Sequence, residues 1–142
     1  MSDLRALIES GLIDKEDGTI FDVNTKLLWQ RSHSSKKFSW REAIKHCKSL
    51  TLAGYNDWRL PTVDELLSIK NLKHYNALTP WYKEKATIDP IFRCFKEDYW
   101  TITRLPDNQI PRRHAWTVPF VGVGWISSSI KDVHYVRAVR NV

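Results

Sequence analysis

Cysteine is nearly missing from this chain: Cys47 and Cys94 are its only two in 142 residues. One disulfide is the most they allow, nothing resembles a disulfide framework, and a reducing compartment would keep both as thiols. Both are read as reduced and buried. Long apolar runs are missing as well, none approaching the roughly 18 residues that cross a bilayer. The opening "MSDLRALIESGLIDKEDG" places charges where an export signal needs an uninterrupted apolar stretch. The expected location is therefore the cytoplasm, with no membrane partner. There is no internal repeat and no low-complexity tract, and like charges never run beyond pairs such as Lys36-Lys37 and Arg112-Arg113. The histidines His33, His46, His74, His114 and His134 lack zinc-ligand spacing, and no Ser-His-Asp order can be asserted without geometry. Neither a metal nor a cofactor is expected.

An apolar fraction of 42% over this length suffices for one core and one domain. The formal charge is +6, with 8 basic and 4 acidic residues in 91–142 against 9 and 7 in 1–50. Positive charge leans toward the C-terminal third, which weakly favours anionic partners.

Capping signals organise the N-terminal half. Ser2 can cap a short helix through Glu9, with Gly11 placed to end it. β-Branched and aromatic residues around Asn24-Thr25 predict a hairpin of Thr19–Val23 and Lys26–Gln30. Ser39-Trp40-Arg41-Glu42 is a capping box, and Trp40, Ala43, Ile44 and Cys47 fall on one stripe of a helix ending near Leu50. That stripe makes Cys47 an inert core thiol. Thr62-Val63-Asp64-Glu65 is a second capping box, entered from an extended Leu60-Pro61, with Val63, Leu66, Leu67 and the stem of Lys70 toward the core and Asn71 as a stop.

Residues 72–98 lack clean periodicity and hold Pro80 and Pro90, which predicts a long connection. "YWTITR", "HAWTVPF", "GWISSS" and "VHYVRAVR" then read as four strands separated by turns, and "VGVG" at 121–124 reads as a hairpin turn. Two helices followed by a run of strands predict an α+β domain, helices packed on antiparallel sheet.

The segments "FDVNTKLLWQR", "SWREAIKHCKSLTLAGYNDWRLPTVDELLSI", "IDPIF", "YWTIT", "AWTVPF" and "YVRAVRN", in this order, resemble the family of the C-terminal domain of the Legionella collagen-like adhesin. The resemblance spans about residues 18–142, leaving 1–17 as an N-terminal helical extension. That family is similar to the formylglycine-generating, sulfatase-modifying superfamily and through it to the C-type lectin fold. The resemblance implies a lectin-like α+β core whose C-terminal strands present a loop-rich face. Two departures stand out: family members often carry Gly where Lys26 stands and Cys where Ala138 stands. If that usual Cys pairs with the helix cysteine, Cys47 has lost its partner.

Asn56-Asp57 beside Trp58 is superficially like a lectin calcium site. The second loop such a site needs, Glu/Gln-Pro-Asn/Asp, is missing, so the pair is read as a side-chain-to-backbone turn. Arg59 suits a structural role, as a buried ion pair or a bridge to backbone carbonyls, better than a ligand contact. Formylglycine chemistry needs two neighbouring cysteines, and none are adjacent here. Arg104, Arg112, Arg113, His114 and Lys131 fall on C-terminal loops with Trp125 and Trp81 as apolar platforms; guanidinium forks match sulfate, phosphate or carboxylate, and aromatic faces stack on sugars or side chains. The function expected is a non-enzymatic binding module for a protein or an anionic, in one form sulfated, glycan. The alternatives are an enzyme with altered chemistry on the sulfatase-modifying scaffold, with His114, His134 and Tyr135 in a deep pocket, or nucleic-acid binding through the basic third. The last has charge and loop aromatics behind it but no recognised motif.

Overall fold

A computed structural model describes residues 11–71, 78–79, 86–94, 97–104, 113–122 and 124–142. The helix expected over Ser2–Glu9, and the site candidates Arg112 and Trp81, lie outside the described residues.

The architecture is mixed α+β, dominated by two antiparallel sheets. Strands β1 (Leu12–Asp14), β2 (Thr19–Asp22), β3 (Leu27–Gln30) and β7 (Val139–Asn141) form one in the order β1-β2-β3-β7. β4 (Asp98–Arg104), β5 (His114–Pro119) and β6 (Ile126–Ser129) form the other in sequence order. Helix α1 (Trp40–Ser49), a short 3-10 turn (Leu52–Gly54) and helix α2 (Val63–Ser68) lie between β3 and β4 in the chain.

The expected hairpin forms, pairing Thr19 with Gln30 and Asp22 with Leu27. Its turn holds Lys26 at φ 61, a left-handed conformation that glycine adopts without cost and a lysine does not. β1 was not foreseen: Leu12–Asp14 pairs with β2, so the segment before Gly18 contributes a sheet edge.

"LLW" in β3 is continuously buried because its sheet is covered on both faces. Leu27 and Trp29 enter one core cluster with Ile20, Leu66, Tyr99 and Val139, while Leu28 enters a second with Trp40, Cys47, Trp58, Trp100 and Ala138. Cys47 and Ala138 thus share one buried cluster. Trp40 Nε1 donates to Thr101 O at 2.9 Å and Trp100 Nε1 to Phe38 O at 2.7 Å, so these two large rings satisfy their polar edges while burying their bodies.

Both capping boxes are present. α2 ends at Ser68, short of Asn71, whose backbone N–H bonds Thr87 O at 2.8 Å instead; besides Leu66, the core takes Ile69. β4, β5 and β6 match the three strands expected there within two residues at each end, and Gly122 and Gly124, both at positive φ, lie in the turn joining β5 to β6. "VHYVRAVR" departs from expectation. His134 and Tyr135 make only isolated bridges and the strand proper begins at Val139. Val136, Arg137, Ala138 and Val139 are buried in succession, because the segment contacts both sheets: Tyr135 bridges to Tyr99 of β4, and Ala138 O accepts from Gln30 N of β3 at 3.0 Å. Neither face of such a segment is left to water, and alternation fails.

Candidate anion-binding face

The corner "GYNDWRLPT" is built from matched charges. Thr62 caps α2 by accepting from Glu65 N at 3.1 Å, and Glu65 Oε1 accepts from Thr62 N at 2.8 Å. The same carboxylate takes both arms of Arg59, at 2.7 and 2.8 Å, and Arg59 Nη2 also donates to Asn141 Oδ1 at 2.7 Å. Arg59 accordingly holds the Glu65 carboxyl below the usual carboxylate range. The expected ion pair is there.

Asp57 has a different structural task from the expected turn. Its carboxylate accepts from Arg140 Nε at 2.6 Å and Nη2 at 3.0 Å, and the Arg140 guanidinium stacks 3.8 Å from the centre of the Tyr55 ring. Between them Arg59 and Arg140 tie the corner to β7, and both spend their donors on the protein itself.

A contrasting arrangement occupies the end of the second sheet where β4 stops, β5 starts and β6 stops. The β4–β5 register sets Arg104 opposite Ala115, and the β5–β6 register sets His114 opposite Ser129. Ile130 N donates to Arg113 O at 3.0 Å, and Trp40 N, in the first turn of α1, donates to Ile130 O at 3.1 Å. These two backbone bonds draw the start of α1 against the start of β5 and the end of β6. Ser39, Arg41, Arg113, Ile130 and Lys131 line a pocket of about 350 Å³ there. Arg104 joins from β4, its guanidinium 5.4 Å from the centre of the Trp40 ring. Arg41, Arg104, Arg113 and Lys131 are all exposed.

Among the described residues, none of these four cations forms an ion pair. The nearby acids are otherwise placed: Glu42 is held on the Ser39 cap, its Oε1 accepting from Ser39 N at 3.3 Å and Oγ at 2.6 Å, and Asp132 follows Lys131 in the turn after β6. Neighbouring unpaired cations raise the local potential and favour an anion, and guanidinium forks receive sulfate, phosphate or carboxylate oxygens two at a time.

The structure thus brings Arg104, Arg113 and Lys131 together and sets His114 at the same sheet end, half buried with Nδ1 lacking a partner. It separates Trp125. That ring, 52% exposed, precedes Ile126, whose partner is Thr117; the three strand steps from Ile126 to Ser129 span about 10 Å. Arg41 is the residue that sequence reasoning missed. It stands in the first turn of α1, off the apolar stripe, and no local signal links that turn to residues 113 and 130. Among the described residues no three His, Cys, Asp or Glu side chains gather as a metal-holding group, and no helix is long and apolar enough to cross a membrane.

Compared with known families, residues 18–140 match the model of the Lcl C-terminal domain. No curated protein matches the chain.

Proposed function

The chain belongs to the Lcl C-terminal domain family, and from that membership and the chemistry of the basic end we propose that it is a non-enzymatic module binding an anionic ligand, a sulfated glycan or an acidic protein face. The observation that carries this reading is the gathering of Arg41, Arg113 and Lys131 around one pocket, with Arg104 over the neighbouring Trp40 ring, and among the described residues no carboxylate pairs with any of the four. An adhesin domain is a binding module, which agrees in kind. The ligand chemistry comes from the charges: an anion held by several forks at a surface gains specificity from geometry and speed from the field around it.

The finer fold reading belongs to the same proposal: residues 18–142 as a C-type-lectin-like domain related to the sulfatase-modifying superfamily, preceded by an extension over 1–17. Support comes from two helices set among antiparallel sheets and from cations placed where C-terminal strands end in loops. A common scaffold with variable loops fits that division, though fold alone does not name a ligand.

Retention on an immobilised sulfated polysaccharide, compared with its desulfated form, tests the function. The wild-type chain is expected to be held by the sulfated matrix alone, and Arg41→Ala with Arg113→Ala to elute early. Equal retention of wild type and double variant would remove these residues from the site. A gel shift over a salt series addresses the nucleic-acid alternative: retardation of single strands at moderate salt would favour it.

A further inference from the structure

Two sheet edges are closed by the chain itself. Along β7, Arg59 N donates to Val139 O at 2.9 Å and Val139 N to Arg59 O at 3.0 Å; along β4, Trp100 N donates to Tyr135 O at 3.0 Å and Ile102 N to Pro61 O at 2.8 Å. β6 is different. It ends the order β4-β5-β6, and among the described residues no segment pairs with its outer side. In an antiparallel ladder, pairs that exchange backbone bonds alternate with pairs that do not. Ile130 N donates to Arg113 O at 3.0 Å, and the unbroken register from there makes Ala115–Ser128 and Thr117–Ile126 bonded pairs. Ser127, opposite Trp116, and Ser129, opposite His114, belong to the other set, so their backbone groups point away from β5. Ser129 O is taken by Asp132 N at 2.9 Å. The N–H and C=O of Ser127 and the N–H of Ser129 have no partner among the described residues.

Open edges are commonly blunted by proline, by charge or by a covering segment, because their free backbone groups invite another strand. Ile126-Ser127-Ser128-Ser129 carries neither proline nor charge. The two flanks of this strand differ. At its start stand Trp125 and Ile126, 52% and 51% exposed; past its end Lys131 shares a pocket with Arg41 and Arg113. Three open backbone groups hold a peptide weakly by themselves, so binding depends on the flanks as well. A segment laid antiparallel would meet the cations with its N-terminal part and Trp125 with its C-terminal part, roughly 10 Å or three residues further on. Charge selects the occupant: with a formal charge of +6 and cations beside this edge, a second copy of the chain is repelled and an acidic segment is drawn in.

We propose that the open edge of β6 docks an extended acidic peptide segment of a partner protein, which joins the three-stranded sheet as a further antiparallel strand. Its backbone exchanges both bonds with Ser127 and accepts a third from Ser129 N. Carboxylates near its N-terminal end are received by Arg41, Arg113 and Lys131, and an aromatic or branched aliphatic side chain roughly three to four residues later packs on Trp125 and Ile126. Main-chain bonds leave the middle of such a segment tolerant of sequence, while its two unlike ends fix its direction. For its charged end this docking mode rests on the proposed anion-binding function; the strand edge, the extended backbone and the direction of the partner go beyond it.

The test is fluorescence anisotropy with a labelled synthetic peptide that has two glutamates at its N-terminal end, alternating valine and threonine, and a phenylalanine at its C-terminal end. The wild-type chain is expected to bind it. Two N-methylated forms, one for each set of alternate amides, should differ: the set facing β6 should cost about tenfold or more and the other set little. Ser127→Pro removes only an outward N–H, at an edge position proline tolerates. It should weaken the peptide about tenfold and stay on the sulfated matrix as the wild type does; if it does not fold, the paired N-methylated peptides decide. Trp125→Ala should weaken the peptide about fivefold with matrix retention unchanged. Equal affinity for both N-methylated forms, or for the sequence-reversed peptide, would mean contact through charge alone and overturn strand addition. Retention on the sulfated matrix without any peptide binding would overturn it too and leave the anion-binding function standing, whereas a chain that binds neither fails both. A dimer in sedimentation equilibrium that Ser127→Pro dissolves would assign the edge to a second copy and overturn the proposal.

Discussion

Arginine is used in opposite ways at two places on this molecule. At the Pro61 corner, Arg59 is closed by Glu65 and Asn141, and Arg140 by Asp57 and the Tyr55 ring. At the sheet end, Arg41, Arg104, Arg113 and Lys131 face water without a carboxylate partner among the described residues. The difference teaches how to separate scaffold from surface when both are rich in charge. A guanidinium whose donors are already spent on the chain holds the fold in register, and one whose donors are free has something left for a ligand. Arg137 is a third case: both Nη atoms are spent on backbone carbonyls, its Nε is buried without an acceptor, and among the described residues no carboxylate pairs with its charge.

Removing each kind of arginine contact should therefore break different properties. The largest effect belongs to Arg137→Ala, which leaves a cavity and takes the guanidinium away from Gln30 O and Arg93 O, while Arg31 O keeps Arg93 N as a donor; urea unfolding should show a loss of about 3–5 kcal/mol. Next is Glu65→Ala, which removes a cap and the acceptor for Arg59 together, expected to cost about 2 kcal/mol in the same measurement. Because Arg59 lowers the Glu65 carboxyl in the folded chain, this contribution is present above the unfolded carboxylate range. It is lost as pH falls through the lower, folded value. A thermal series downward from about pH 5 should thus narrow the gap between wild type and Glu65→Ala; a gap that widens would contradict the assignment.

Arg41→Ala with Arg113→Ala should do the reverse, changing stability by less than about 0.5 kcal/mol while weakening binding to a sulfated oligosaccharide by roughly tenfold or more. Trp125→Ala sharpens the map of the site: standing at the far end of β6, it should leave that affinity within about twofold, since roughly 10 Å of strand separates it from the pocket. The smallest effect is expected for Asp57→Asn, an exposed pair screened by water, seen as a slight drop in melting temperature at low salt that vanishes at high salt.

How much of this was readable beforehand depends on how local each cause is. The two capping boxes, the Cys47 stripe and the β2–β3 hairpin follow from residues within a few positions of one another, and all are found in the structure. β1 escaped notice because three residues, "LID", carry no period of their own and become a strand only by pairing with β2. The burial of Arg137 was hidden for a related reason, its carbonyl partners lying at residues 30, 31 and 93. Arg104, Arg113 and Lys131 were legible as cations on the C-terminal loops, but their meeting with Arg41 depends on two backbone bonds through Ile130 that no spacing rule encodes.

The salt dependence of binding to a sulfated oligosaccharide tests the central claim most directly. For the wild-type chain, the logarithm of affinity should fall steeply and linearly with the logarithm of salt concentration. The Arg41→Ala, Arg113→Ala, Lys131→Ala variant should show both a lower affinity and a clearly shallower slope, as fewer ion contacts are made. A triple variant with the wild-type affinity and slope would place recognition elsewhere on the molecule and contradict the account.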